Sequence, residues 1–302
     1  MDPNLALLLS ALAFAMAGAV LALSTYVTLW TGLLSFATVS FAATGAFTST
    51  WFLNHTDYGP VVAVLAGTGL ATVFGLAVGR LFRKLDSHWL ALATVALVLI
   101  TRVVVVNLGE DLTGGSAGVV VPNSLSRWHL LAILVVVCIL LALLARSRFG
   151  VAAATSREDP AVAASLGVPV NRIHVVAFGL SGGLGGLGGI MLASQLNFID
   201  PDTYFIDLSV TVIASVVLGG AYHWLGSVIG AAVFTGLPVY ITQYITEGQS
   251  IINGALLLAI IIWLPGGLVD PIRWRRYRSR RLPDAVAADH AEAMSPVVKA
   301  GR

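Results

Sequence analysis

An all-α polytopic membrane protein is the fold the sequence predicts, and three observations predict it. Of the 302 residues, 57% are hydrophobic and only 11% charged, and the mean hydropathy is +0.89; soluble globular domains are far less apolar. Nearly all of residues 5 to 270 divides into apolar runs close to the length of about 20 residues that a spanning helix needs, separated by short polar joints. The cationic residues outside those runs, Arg127 excepted, fall on one side of the resulting topology, as the cytoplasmic excess of arginine and lysine requires. Together these give about nine transmembrane helices, the N-terminus outside and the C-terminus cytoplasmic. Residues 1–272 form the membrane domain. Residues 273–302 begin with a basic cluster and continue as an Ala-, Pro- and charge-rich tail without periodicity, expected to be disordered.

Residues 5–23 make the first span. No basic segment precedes them and no small-residue cleavage site follows, so the helix is read as uncleaved. The next run, Tyr26 to Leu53, is too long for one ordinary span. It is interrupted by Thr31, Gly32, Ser35, Thr38 and Ser40, then by Thr44, Gly45, Thr48, Ser49 and Thr50, which predicts a broken or re-entrant helix near residues 26–38 followed by a spanning one. Unwound backbone within a membrane is tolerated only where protein or a water-filled cavity supplies hydrogen-bond partners, so Gly32, Ser35, Thr38, Ser40 and Thr44 are candidate substrate-pathway residues. Small residues also serve helix packing, and for any single Ser or Thr that reading stands beside the first.

Pro60 to Leu81 spans and ends at Arg80, Arg83 and Lys84, hence inside. Leu90 to Val106 crosses outward and carries Arg102 near its outer end, where snorkelling or a structural pairing suits an arginine. The following loop, Asn107 to Arg127, has the acids and paired glycines of an exposed turn. Trp128 to Leu144 returns to a cytoplasmic loop at residues 146–172, in which Asp159 is a good N-cap, Pro160 fits the first helical position and Gly167 is a natural stop. These define a helix of about two turns, with Val162, Ala163 and Leu166 expected on one face.

Ile173 to Ala193 crosses outward. Its Gly179, Gly182, Gly183, Gly185, Gly186, Gly188 and Gly189 create overlapping GxxxG spacings through which another helix can approach the backbone closely. Residues 194–205 form an outer loop and Ile206 to Ala221 returns inward. Tyr222 to Ser227 is a tight inner joint, and Val228 to Tyr244 and Ile251 to Leu264 complete the crossings. The net charge of +2, confined to cytoplasmic patches, gives no support for a nucleic-acid partner. Cys138, the single cysteine, lies in an apolar run and reads as a packing residue.

Four stretches carry a family resemblance over roughly residues 24–270. They are TGLLSFATVSFAATGAF at 31–47, LTGGSAGV at 112–119, SRFGVAAATSREDPAVAASLGVPVNRIHVVAFGLSGGLGGLGG at 147–189 and VVLGGAYHWLGSVIGAA at 216–232. In these the chain resembles the LivM-type permeases of the branched-chain amino-acid ABC transporter family. The resemblance implies an inner-membrane permease subunit of an ATP-driven importer, partnered by two cytosolic ABC ATPase subunits, a second related permease and an extracytoplasmic solute-binding protein. ATP and Mg would be bound by the ATPases, with no cofactor or metal in this chain, whose lysines, Lys84 and Lys299, lie outside any P-loop pattern. By resemblance, Arg157, Glu158, Asp159, Val162, Ala163, Leu166 and Gly167 form the coupling helix that docks on the ATPase. If the solute is an amino acid, unwound backbone near Gly32 to Thr38 offers helix N-terminal amides to its carboxylate.

The chain departs from the family where glutamine commonly follows the glycine matching Gly32, here Leu33, and at Ala37, Thr38, Leu99 and residues 221–223, here Ala-Tyr-His. Relatives that the chain resembles carry urea or other amides, so the resemblance implies urea or another small amide or amino acid as an alternative solute. Two other functions have partial signatures in the sequence. Gly179-Leu180-Ser181-Gly182 with His223-Trp224-Leu225-Gly226 resembles the Ser–His elements of rhomboid-like intramembrane proteases, which would need that dyad assembled within the membrane. A proton-coupled carrier would need acidic or basic relays within its spans, where the candidates are Arg102 and Asp207, both near outer ends.

Overall fold

The structure, a computed structural model, describes residues 3–122, 125–220, 223–236 and 238. It is built from helices: α1 (Pro3–Trp30), α2 (Thr38–His55), α3 (Pro60–Phe82), α4 (Ser87–Asn107), α5 (Glu110–Thr113), α6 (Arg127–Ala145), α7 (Arg148–Glu158), α8 (Pro160–Ser165), α9 (Val170–Leu196), α10 (Ile206–Gly219) and α11 (Trp224–Ala231), the last running into a π-helical turn at Ala232–Gly236. Among the described residues five helices are long and apolar enough to cross a membrane, those at Leu7–Trp30, Pro60–Phe82, Ser87–Asn107, Arg127–Ala145 and Val170–Leu196. The chain is an all-α polytopic membrane protein. The expected crossings after residue 238 lie outside the described residues.

Three boundaries differ from the sequence reading. The first span does not stop at residue 23 but continues to Trp30, because Ser24, Thr25 and Thr28 keep helical geometry and bury their hydroxyls between helices. Residues 24–30 therefore belong to α1. The break falls at residues 31–37, as an irregular connection between α1 and α2, with no re-entrant helix of its own. The expected crossing at 206–221 is a 14-residue helix, α10, which ends where Gly220 adopts φ +100°.

Helix α9 is the axis of the packing. It lies against α1, α2 and α3, while α3, α4 and α6 turn much of their surface outward. The glycines divide its circumference among these neighbours. A Cβ placed on Gly186 would stand 2.5 Å from Ala71 Cβ of α3, one on Gly183 would stand 2.8 Å from Thr72 Oγ1, and one on Gly179 2.5 Å from the Leu76 side chain. Gly182 abuts the Ala71 carbonyl of α3, Gly189 the Ala42 backbone of α2, and Gly188 faces Leu21 of α1. No side chain fits between these backbones, the condition that small-residue helix packing in membranes exploits.

Past the C-terminal end of α9, β1 (Val119–Val120) pairs antiparallel with β2 (Phe198–Ile199), so Val119 faces Ile199 and Val120 faces Phe198. The loop after α4 is thus tied to the α9–α10 loop, and Val121, Ile199 and Tyr204 pack with Phe47 of α2 in one buried cluster. Tyr204 donates its hydroxyl to the Gly189 carbonyl at 2.8 Å, fastening the loop to α9. Burial pushes this phenol above its ordinary range, so it stays protonated and able to donate. Arg102 pairs with Asp202 at 2.7 Å and lies 5.0 Å from the Phe205 ring centroid, the structural pairing expected of it.

Candidate coupling loop and solute path

The loop at residues 146–172 folds into two helices. One of them, α8, forms as its sequence dictates: Ala161 N and Val162 N donate to Asp159 Oδ1 at 2.8 and 3.1 Å, and Pro160 takes the first position. At the far end Gly167 has φ +82°, its N–H donates to the Ala164 carbonyl and that of Val168 to the Ala163 carbonyl, both at 3.0 Å. This is a Schellman stop, which requires a residue at ease with positive φ.

The expected single face is split. Val162 and Leu166 are 52% and 71% exposed, whereas Ala163 is fully buried. An offset of one residue turns about 100° around a helix, so Ala163 seats α8 on the protein while Val162 and Leu166 project. Sequence reasoning missed α7 altogether, although its AAA core at residues 152–154 is a strong helix former. Helix α7 adds another exposed apolar residue, Val151 at 66%.

The candidate pathway residues sit at the α1–α2 connection and along α2. Gly32 has φ +86°, and a Cβ there would lie 3.2 Å from the Arg157 Cα, so the break touches the end of α7. Protein groups satisfy most of the unwound backbone: Leu33 N donates to the Thr28 carbonyl at 3.1 Å, Leu34 N to Ser87 Oγ at 3.2 Å, Phe36 N to Thr94 Oγ1 at 3.1 Å and Ala37 N to Ser35 Oγ at 3.2 Å. In this conformation those amides are occupied rather than offered to a carboxylate. Ser87 and Thr94 of α4 were not anticipated as partners, since nothing in sequence links residues more than fifty positions apart.

Thr38 Oγ1 lies 2.8 Å from Thr25 Oγ1 and accepts from Ser24 Oγ at 3.3 Å, and Ser24 Oγ lies 3.0 Å from Ser181 Oγ. This buried network ties α1, α2 and α9 together. Thr44 Oγ1 donates to the Ser40 carbonyl at 2.8 Å, while Ser40 Oγ is buried without a hydrogen-bond partner. A buried hydroxyl left unsatisfied is costly, and Ser40 shares that state with Ser49 of α2, Thr68 of α3 and Ser227 of α11. Thr44 also lines a cleft bounded by α2, α3 and α4. The Ser181 hydroxyl engages Ser24 rather than an imidazole, and His223 caps α11 by accepting from Leu225 N at 3.2 Å.

The sequence profile of the family described as "Branched-chain amino acid transport system / permease component" matches residues 7–261. The chain belongs to this family. Among its relatives, the high-affinity branched-chain amino acid transport system permease protein LivM of Escherichia coli K12 is 28% identical over 80% of this chain and 65% of its own. The LivM of Salmonella typhimurium is 30% identical over the same shares. The xylose/arabinose import permease protein XylH of Sulfolobus acidocaldarius is 25% identical over 67% of this chain and 60% of its own. The chain thus spans about 65% of the length of the two LivM proteins. No solved structure matches significantly. The family is described as a permease component of a transport system, and five of the described helices are long and apolar enough for a membrane location.

Proposed function

We propose that this chain is the membrane-spanning permease subunit of an ATP-driven importer for branched-chain, hydrophobic amino acids. Two cytosolic ABC ATPases bind ATP and Mg and supply the work, a second related permease completes the membrane path, and an extracytoplasmic binding protein delivers solute. The observation that carries this reading is α8, a capped helix projecting Val162 and Leu166 from a chain whose residues 7–261 match the permease family. Exposed apolar side chains on a small, rigid, charge-flanked helix are what a protein socket engages. The solute path runs by the α1–α2 connection and α2, with Gly32, Ser35, Thr38, Ser40 and Thr44 as its candidates. Ser40 and Thr44 carry it furthest, through the unsatisfied hydroxyl and the cleft beside α4. The departures at Leu33, Leu99 and residues 221–223 favour urea or another small amide as the second solute class.

The test is recovery of the chain from its native membrane with its partners, wild type against a Val162→Asp, Leu166→Asp double variant. A P-loop ATPase and a second permease accompany the wild type, and the ATPase alone is lost from the variant. Wild-type protein that brings down neither partner refutes the assembly.

A further inference from the structure

The cytoplasmic loop reaches the α1–α2 break directly. Ser156, fully buried on α7, places Oγ 3.4 Å from Nε2 of His174, on the first turns of α9. The same imidazole lies within interaction range of the backbone of Thr31, the first residue after α1. Beside it, the Gly32 turn rests on the Arg157 backbone, close enough that a Cβ would press on its Cα at 3.2 Å. Two residues before Gly32, Trp30 meets Phe149 of α7 edge-on, ring centroids 6.1 Å apart, and stacks on Tyr26 at 5.9 Å. Three elements distant in sequence therefore converge on one imidazole: the end of α7, the start of α9 and the break between α1 and α2.

From this convergence we infer that His174 is the positioning residue that makes the α1–α2 break move with the coupling loop. A displacement of α7–α8 by a docked ATPase reaches residues 31–37 without passing through the rest of the membrane domain. Three features suit the break to receive it. Gly32 supplies a backbone pivot at positive φ. The connection is non-helical, so its dihedrals absorb a change that a helix would resist. It leads straight into α2, on which Ser40 and Thr44 lie. Histidine fits the task because one flat ring can reach a hydroxyl and a main-chain group at once. The inference rests on the ATP-driven reading above.

The test is hydrogen–deuterium exchange of residues 31–37 in the purified complex with its ATPases, with and without ATP and vanadate, for wild type, His174→Leu, His174→Gln and Ser156→Ala. In wild type, nucleotide changes the protection of 31–37. In His174→Leu the ATPase still co-purifies but the nucleotide response falls about fivefold or more, the lower end of coupling between linked sites. Ser156→Ala gives a smaller loss, and His174→Gln, which keeps hydrogen-bonding capacity, restores part of the response. A merely structural histidine would lower the melting temperature and leave the response intact, and that result overturns the inference. So does a wild-type complex whose 31–37 protection ignores nucleotide. Absence of ATPase from the wild-type preparation instead removes the transporter reading itself, and with it the basis of the inference.

Discussion

Gly186→Ala tests whether the glycines of α9 set the distance to its neighbours. The added methyl would stand 2.5 Å from Ala71 Cβ, whereas apolar carbons rest about 3.5–4.0 Å apart, so α3 and α9 must separate by about 1 Å or more. Helix α9 has little room to retreat, because Gly185 and Gly189 hold it close to Phe41 and Ala42 of α2 on another side. Overpacking of this kind costs about 1–3 kcal/mol, and the gain of up to about 1 kcal/mol in helix propensity offsets part of it. A net loss of about 1–2 kcal/mol lowers the melting temperature by about 2–8 °C for a domain of this size. Gly69→Ala is the matched control: it is the same change on α3, where a Cβ would meet nothing within 4 Å. Its melting temperature should equal or exceed that of wild type. Thermal unfolding of detergent-solubilised protein reads both. A Gly186→Ala protein as stable as wild type, or an equal fall in both variants, refutes the steric account.

Two further outcomes follow from the capped helix and the outer loop. Asp159→Ala removes the acceptor for Ala161 N and Val162 N, costs α8 about 1 kcal/mol, and should reduce ATPase recovery in the pull-down less than the Val162→Asp, Leu166→Asp change does. Tyr204→Phe deletes the bond to the Gly189 carbonyl and should cost about 1 kcal/mol, the net worth of one hydrogen bond, since that carbonyl keeps its partner within α9. The phenol's folded pKa lies above its ordinary value of 10.0, so its contribution is complete below that pH and is lost as pH rises beyond it. Alkaline unfolding curves should accordingly show a steeper loss above pH 10 for wild type than for Tyr204→Phe, and parallel curves would contradict that assignment.

What the sequence made legible was local or periodic. The Asp159–Pro160 start and Gly167 stop of α8 are read from residues whose conformational preferences need no tertiary context, and both appear where expected. The GxxxG spacings of α9 announced close helix approach, and the backbone contacts of Gly182, Gly186 and Gly189 are that approach. Which helix meets which glycine was not legible, because spacing alone names no partner. The break after α1 was signalled by Thr31, Gly32 and Ser35, but its satisfaction by Ser87 and Thr94 depends on where α4 packs. Ala163 was misplaced for a simple reason: an alanine scores as apolar whether it projects or is pressed against a neighbour. The Ser24–Thr38–Ser181 network was invisible because each hydroxyl, alone, reads as a small packing residue.

The two ends of α9 explain why a short loop can matter to a distant path. At its start His174 meets Ser156 of α7, along its length the glycines bring α2 and α3 within backbone contact, and near its end the Gly189 carbonyl holds the α9–α10 loop through Tyr204. Backbone-on-backbone contacts have no flexible side chains to absorb a displacement, and packed interiors shift between discrete arrangements rather than deform smoothly. Motion imposed at residues 156–174 therefore has two outlets, the whole of α9 or the hinge at Gly32. Moving α9 would disturb α1, α2 and α3 together, whereas rotating the Gly32 connection disturbs a few hydrogen bonds to Ser87 and Thr94. The hinge is the softer of the two, and it opens onto the helix that carries Ser40 and Thr44.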